Sequence, residues 1–126
     1  MSLLGSGDFR LHSGEPSSFK IDCDFLTDED WVTAAALIAP VLGQFRSAVG
    51  VPRGGLAFAE ALGPYAAGSG PILVVDDVWT TGGSLRQARR EQEALGWSMT
   101  AGVVLFTRGP LEPWVTALFQ LNPEVG

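Results

Sequence analysis

Two chemistries stand next to each other in the stretch from Ile72 to Ser84. Asp76 and Asp77 close an apolar run, Ile72-Leu73-Val74-Val75, and Thr80-Thr81-Gly82-Gly83-Ser84 follows shortly after. Ionised carboxylates only accept hydrogen bonds, and each accepts several. They repel phosphate, so their natural complement is a pair of vicinal hydroxyls such as those of a ribose. The Thr-Thr-Gly-Gly-Ser segment offers the opposite. Its glycines let backbone approach a ligand closely and adopt positive φ. Successive N–H groups at the start of a helix form an anion nest, and Thr80, Thr81 and Ser84 add hydroxyl donors. This is a phosphate cup. It lacks the lysine and spacing of a Walker A loop, and it lacks the G-x-G-x-x-G of a dinucleotide site. Acids for a ribose beside a cup for a phosphate describe a ribose 5-phosphate site. Acids that merely cap a turn are the plain alternative, but capping asks for neither a second acid nor two glycines.

The elements that position these residues alternate. Thr27 reads as an N-cap with Asp30 at the third position, opening a helix whose apolar stripe is Trp31, Ala35, Ile38 and Leu42. Pro40 should kink or end that helix. Residues 47–51 are a short strand, and "VPRGGLAFAEAL" passes through a glycine turn into a second helix. Residues 63–71, "GPYAAGSGP", form a linker. A strand over 72–76 precedes the cup, and a helix from about Ser84 to Leu95 stops at Gly96. Strands over 99–107 and 114–121 complete the set. Strands alternating with helices imply an α/β domain with a mainly parallel sheet flanked by helices on both faces. Ligands of such sheets lie at the carboxyl ends of the strands. The loops at 52–55, 76–84 and 107–110 all follow strands, so they should converge on one edge.

Composition narrows the partners. A chain of 126 residues with 46% hydrophobic content is one domain with a modest core. Mean hydropathy is positive. A net charge of −6 and scattered cations argue against a nucleic-acid partner; the cluster Arg86, Arg89 and Arg90 reads as a solvated helix face. No apolar run approaches a membrane span, and the N-terminus shows no signal-peptide pattern. Cys23 stands alone, which suits a reducing, cytoplasmic setting. Trp79, Trp114 and Phe119 are candidates for a dimer face.

"VVDDVWTTGGSL" resembles the signature of the type I phosphoribosyltransferases, which bind 5-phosphoribosyl 1-diphosphate (PRPP) with magnesium. The opening "ILVVDD" also begins many response-regulator receiver domains, but those need a phosphoacceptor Asp downstream, and no Asp follows Asp77. The resemblance implies that Asp76 and Asp77 hold the ribose hydroxyls and that Thr80, Thr81, Gly82, Gly83 and Ser84 hold the 5-phosphate. It implies Mg²⁺ carried mainly by PRPP, without direct protein ligation, and a homodimer.

The N-terminal segment "FRLHSGEPSSFKID" is similar to that of orotate phosphoribosyltransferases, on Phe9, Leu11, Ser13, Gly14, Ser17, Ile21 and Asp22. In that family the segment is a hood over the base, so residues 1–26 would be a hood on an α/β core of 27–126, with backbone near Lys20 and Ile21 contacting orotate. "VPRGGLAFAEAL" is similar to the family's diphosphate loop, with Arg53 and Gly54 facing the diphosphate and Arg53 a bidentate donor. Arg108 would contact the orotate carboxylate; paired with Glu112 it would be structural instead. One part of the pattern is missing. Orotate enzymes carry a long mobile loop with lysines and a histidine between the diphosphate loop and the PRPP strand. Here the linker holds no Lys, Arg or His, and the chain's one histidine is His12. The expected activity is transfer of 5-phosphoribosyl from PRPP to a nucleobase, orotate favoured, with release of diphosphate, and with Asp76, Asp77 and Arg53 as the catalytic set. The alternative is a catalytically weak or inactive PRPP-binding module or regulatory subunit.

Overall fold

The computed structural model describes residues 26–120. Residues 1–25 of the hood, with Lys20 and Ile21, lie outside them. Helix α1 spans Asp28–Leu42, β1 Ser47–Gly50, α2 Leu56–Leu62, β2 Ile72–Trp79, α3 Gly83–Ala94, β3 Thr100–Thr107 and β4 Val115–Gln120. A short 3₁₀ turn at Gly63–Tyr65 occupies part of the linker.

Helix α1 starts where its sequence dictates. Asp30 N–H donates to the Thr27 hydroxyl (3.1 Å) and Thr27 N–H donates to the Asp30 carboxylate (2.9 Å), a reciprocal capping box. Pro40 does not end the helix, which runs on to Leu42 and stops at Gly43. The expected stripe is real: Trp31, Ala35 and Ile38 are buried, and Leu42 packs against them.

All four strands are parallel, in the order β1-β2-β3-β4. Their side chains alternate between two cores. Leu73, Val75, Val103 and Leu105 meet α1 and α2 on one face; Val74 and Val104 meet Leu85 of α3 on the other. Helices thus cover both faces, as the alternation of elements predicts. The connections have a further property. From β1 to β2 and from β2 to β3 the chain moves one strand in the same direction, yet α2 and α3 lie on opposite faces. The two crossovers are therefore of opposite hand, although nearly all such crossovers are right-handed.

The sequence reading stops β2 at Asp76; the strand continues through Trp79. Both acids are inside it. The alternation of faces breaks at this point, because Val75 and Val78 both serve the α1/α2 core. Asp77 alone in β2 lacks a partner in the register with β3. The acids sit where the regular ladder loosens, and they satisfy the backbone themselves.

Candidate functional site

Parallel strands bring three loops to one edge of the sheet, as expected. After β1, residues 52–55 turn back over the end of β2, held by Val51 N–H donating to Val75 O (2.8 Å) and Gly55 N–H to Val51 O (2.8 Å). The approach is so close that a Cβ on Gly55 would overlap the Val75 carbonyl, and one on Gly54 would overlap the Asp77 carboxylate. The glycines of this turn are therefore required by contact with the acids' strand. The Pro52–Arg53 peptide is cis. Arg53 is exposed beside Gly54. The N–H groups of Arg53 and Gly54 are not spent on backbone acceptors among the described residues.

The carboxylates are held in series. Asp77 N–H donates to Asp76 Oδ1 (2.8 Å), and Val78 N–H donates to Asp77 Oδ1 (2.8 Å). Asp76 is buried and Asp77 half-buried. Burial pushes the Asp76 carboxyl up to about 7, helped by the side-chain hydrogen bond and negative charge of Asp77 and opposed by the Asp77 backbone N–H. Where Asp76 keeps its proton it can donate to a ligand hydroxyl as well as accept from one, which an ionised carboxylate cannot do.

Residues 80–82 lead from β2 into α3, which begins at Gly83. The first N–H groups of a helix have no intrahelical acceptor, and no side chain caps them here. Gly82 takes φ +85° at the N-cap, the left-handed conformation expected of a nest. Thr80, Thr81, Gly83 and Ser84 are exposed, while Gly82 is buried against the ring of Trp79. Asp76 and residues 78–85 enclose a small cavity of about 60 Å³. Next to it, Val51 and Pro52 of the first loop face Thr81, Gly83 and Ser84 across a groove of about 560 Å³. The structure thus sets Gly54 against Asp77 and Asp76 beside the cup residues, with Arg53 exposed next to Gly54 in the same turn.

The third loop joins them through its backbone: Arg108 N–H donates to Trp79 O (3.3 Å). Glu112 does not pair with Arg108, the arrangement weighed from sequence. It pairs with Arg86, whose Nε donates to Glu112 Oε2 (2.8 Å). The basic cluster on α3 is accordingly more than a solvated face. Arg86 lies 5.4 Å over the Trp79 ring and Arg89 lies 4.6 Å over Trp114. Trp79 is 4% exposed, which removes it from any dimer face. Phe119 is half-buried and stacks on Phe106. The sequence reading missed Trp79 as the support of the cup. Its signal was position: a large aromatic one residue before the cup, at the end of a buried strand.

Among the described residues, no group of three or more His, Cys, Asp or Glu side chains could hold a metal. Among the described residues no helix is long and apolar enough to cross a membrane.

No model of a known protein family matches the sequence, and no curated protein does. Solved structures do. The chain is similar to an orotate phosphoribosyltransferase from Aeropyrum pernix at 25% identity and TM-score 0.70, over 94% of this chain and 91% of that one. It is similar to a purine phosphoribosyltransferase from Pyrococcus horikoshii Ot3 at 23% identity and TM-score 0.53, over 76% and 83% of the two chains. It is also similar to a hypoxanthine-guanine phosphoribosyltransferase from Bacillus anthracis at 13% identity and TM-score 0.55, over 82% and 85%. The site at the carboxyl end of the sheet and these likenesses agree: the chain has the type I phosphoribosyltransferase fold.

Proposed function

We propose that this protein is a phosphoribosyltransferase that moves the 5-phosphoribosyl group of PRPP to a nucleobase, with orotate the favoured acceptor. One observation carries the reading: the turn after β1 packs through Gly54 on Asp77, and Val51 and Pro52 at its start line one groove with Thr81, Gly83 and Ser84 of the phosphate cup. A 5-phosphate in the cup, ribose hydroxyls at Asp76 and Asp77, and a diphosphate at Arg53 and Gly54 would then lie in the order in which PRPP carries them. The orotate preference draws on Arg108 beside the site, on the N-terminal resemblance through Lys20 and Ile21, and on the likeness to an orotate phosphoribosyltransferase.

In the reaction a ring nitrogen of the base attacks C1 of the ribose and gives up its proton to solvent, the bond from C1 to the diphosphate oxygen breaks, and diphosphate leaves with the electron pair. Positive charge builds on the ribose and negative charge on the leaving group. Asp76 and Asp77 fix the ribose hydroxyls, and Asp77 places a negative charge near the electron-poor ring. Arg53 and the N–H groups of its loop stabilise the departing diphosphate, an electrostatic task of the kind that supplies much of enzymatic rate acceleration. Magnesium, held mainly by PRPP, would add charge neutralisation at the same group.

A second reading has its own support. Residues 56–71 form one helix, a 3₁₀ turn and a linker without a single Lys, Arg or His. Cations to cover the leaving diphosphate are thus scarce within the chain, which favours slow turnover or a PRPP-binding regulatory module working as a homodimer. One experiment separates the readings. The protein is incubated with PRPP, magnesium and orotate, and orotate absorbance is followed. Turnover abolished by Asp77→Asn supports the transferase. Calorimetric PRPP binding without turnover of any base supports the module. Failure to bind PRPP overturns both.

A further inference from the structure

Glu112 lies outside every motif of the sequence, and its carboxylate divides its oxygens between two elements. Oε2 accepts from Arg86 Nε at 2.8 Å and from Arg86 Nη2. Oε1 accepts from Trp114 Nε1 at 2.7 Å. Arg86 belongs to the helix that begins at the cup, and its own N–H donates to Gly82 O (2.9 Å). Trp114 precedes β4 and ties to β3 through Gly102 N–H donating to Trp114 O (2.8 Å).

Both partners of Glu112 hold the same ring. The Arg86 guanidinium lies 5.4 Å over Trp79, and Trp114 meets Trp79 edge to face at 6.3 Å and 78°. That ring is where a side chain on Gly82 would have to go. The chain of contact runs from Glu112 through Arg86 and Trp114 to Trp79, and from Trp79 to Gly82 of the cup.

We propose that Glu112 is a positioning residue for the phosphate cup: it clamps Arg86 and Trp114 around Trp79 and so fixes Gly82 and the first turn of α3. The proposal rests on reading residues 80–84 as a 5-phosphate site. It also assigns Arg86 a role other than anion binding, since its guanidinium faces Glu112 and the indole. The two charges support each other. Hydrogen bonding to Glu112 raises the Arg86 pKa, and hydrogen bonds from Arg86 and Trp114 lower that of Glu112. The side chains are 41% and 37% exposed, and pairs so exposed contribute little to global stability. The consequence of losing Glu112 should therefore appear in ligand affinity more than in the melting temperature.

The test uses ribose 5-phosphate, which fills the cup and ribose subsites without turnover, titrated calorimetrically into the full chain. Glu112→Ala should weaken binding by about tenfold, because small displacements of a binding constellation are costly. Its melting temperature should stay close to that of the wild type. Glu112→Gln keeps an acceptor and should recover most of the affinity. Arg86→Ala should match Glu112→Ala, and the double variant should be no weaker than either, the signature of one coupled unit. Unchanged affinity in Glu112→Ala, or additive losses in the double variant, overturns the positioning role. If the wild type itself fails to bind ribose 5-phosphate, the reading of the cup is overturned and the positioning role falls with it.

Discussion

Gly54 packs directly on the carboxylate of Asp77, leaving no room for a Cβ between them. The turn after β1 and the acids in β2 are therefore one packed unit, set by parallel pairing that matches Gly50 with Val75. A loop that reads in sequence as an independent glycine turn is shaped by the residue it faces. In a phosphoribosyltransferase this contact would hold the diphosphate end of PRPP against its ribose.

Gly54→Ala tests that unit. Asp77 cannot simply swing away, because its Oδ1 accepts from Val78 N–H. Either the turn or the carboxylate must shift, at a cost of about 1–3 kcal/mol in stability as for other overpacked sites. PRPP affinity should fall by about tenfold or more, since both ligand-facing elements move. Adding Asp77→Ala should recover only part of the lost melting temperature, because Val78 N–H then loses its acceptor, and should not restore affinity. Calorimetric titration and a thermal melt on the same samples check both halves.

Asp76 should leave a mark on the pH dependence of stability. Its folded value of about 7 lies above the ordinary value of 3.8. Between those values the folded protein keeps a proton that the unfolded chain has lost. Stability from this group is thus greatest at low pH, falls as pH rises through that window, and is flat above it. Asp76→Asn lacks the titration. Urea denaturation at pH 5 and pH 8 should show the variant gaining on the wild type at the higher pH, by on the order of a few kcal/mol. A pH-independent difference would remove the burial account.

The sequence carries the scaffold and the motif well, for reasons visible in particular residues. Thr27 and Asp30 mark a helix start by local chemistry, and Val74 and Val75 mark a strand buried on both faces. The convergence of three loops follows from parallel pairing alone. What the sequence hides is what neighbours impose. β2 continues past Asp76 because Val78 and Trp79 pair with Phe106 and Thr107, a register set by another strand. Glu112 finds Arg86, not Arg108, because α3 and the loop after β3 lie side by side on one face. The opposite hands of the two crossovers depend on which core α2 and α3 join, which no local pattern states.

Thr27→Ala provides a control far from the ligand. It removes one half of the capping box at the start of α1, the hydroxyl that accepts from Asp30 N–H. The expected loss is about 1 kcal/mol. Affinity for PRPP should be unchanged, because α1 packs on α2 and the sheet, away from the cup. A loss of affinity would mean that the helix layer and the site are coupled.

Gly82 separates two causes that usually travel together. At φ +85° an alanine is strained, and its Cβ would also overlap the benzo ring of Trp79. Gly82→Ala should therefore cost about 2–4 kcal/mol, combining left-handed strain with overpacking, and should abolish ribose 5-phosphate binding. Asparagine tolerates the left-handed region better than alanine does. If backbone strain dominated, Gly82→Asn would be the milder variant. If the ring dominates, as the contact with Cη2, Cζ2 and Cζ3 requires, Asn should be as harmful as Ala. Trp79→Phe removes those outer ring atoms, so combining it with Gly82→Ala should recover part of the lost stability. Melting temperatures of the four variants decide between the causes. Recovery by phenylalanine without recovery by asparagine assigns the glycine to Trp79, and the reverse assigns it to the turn alone.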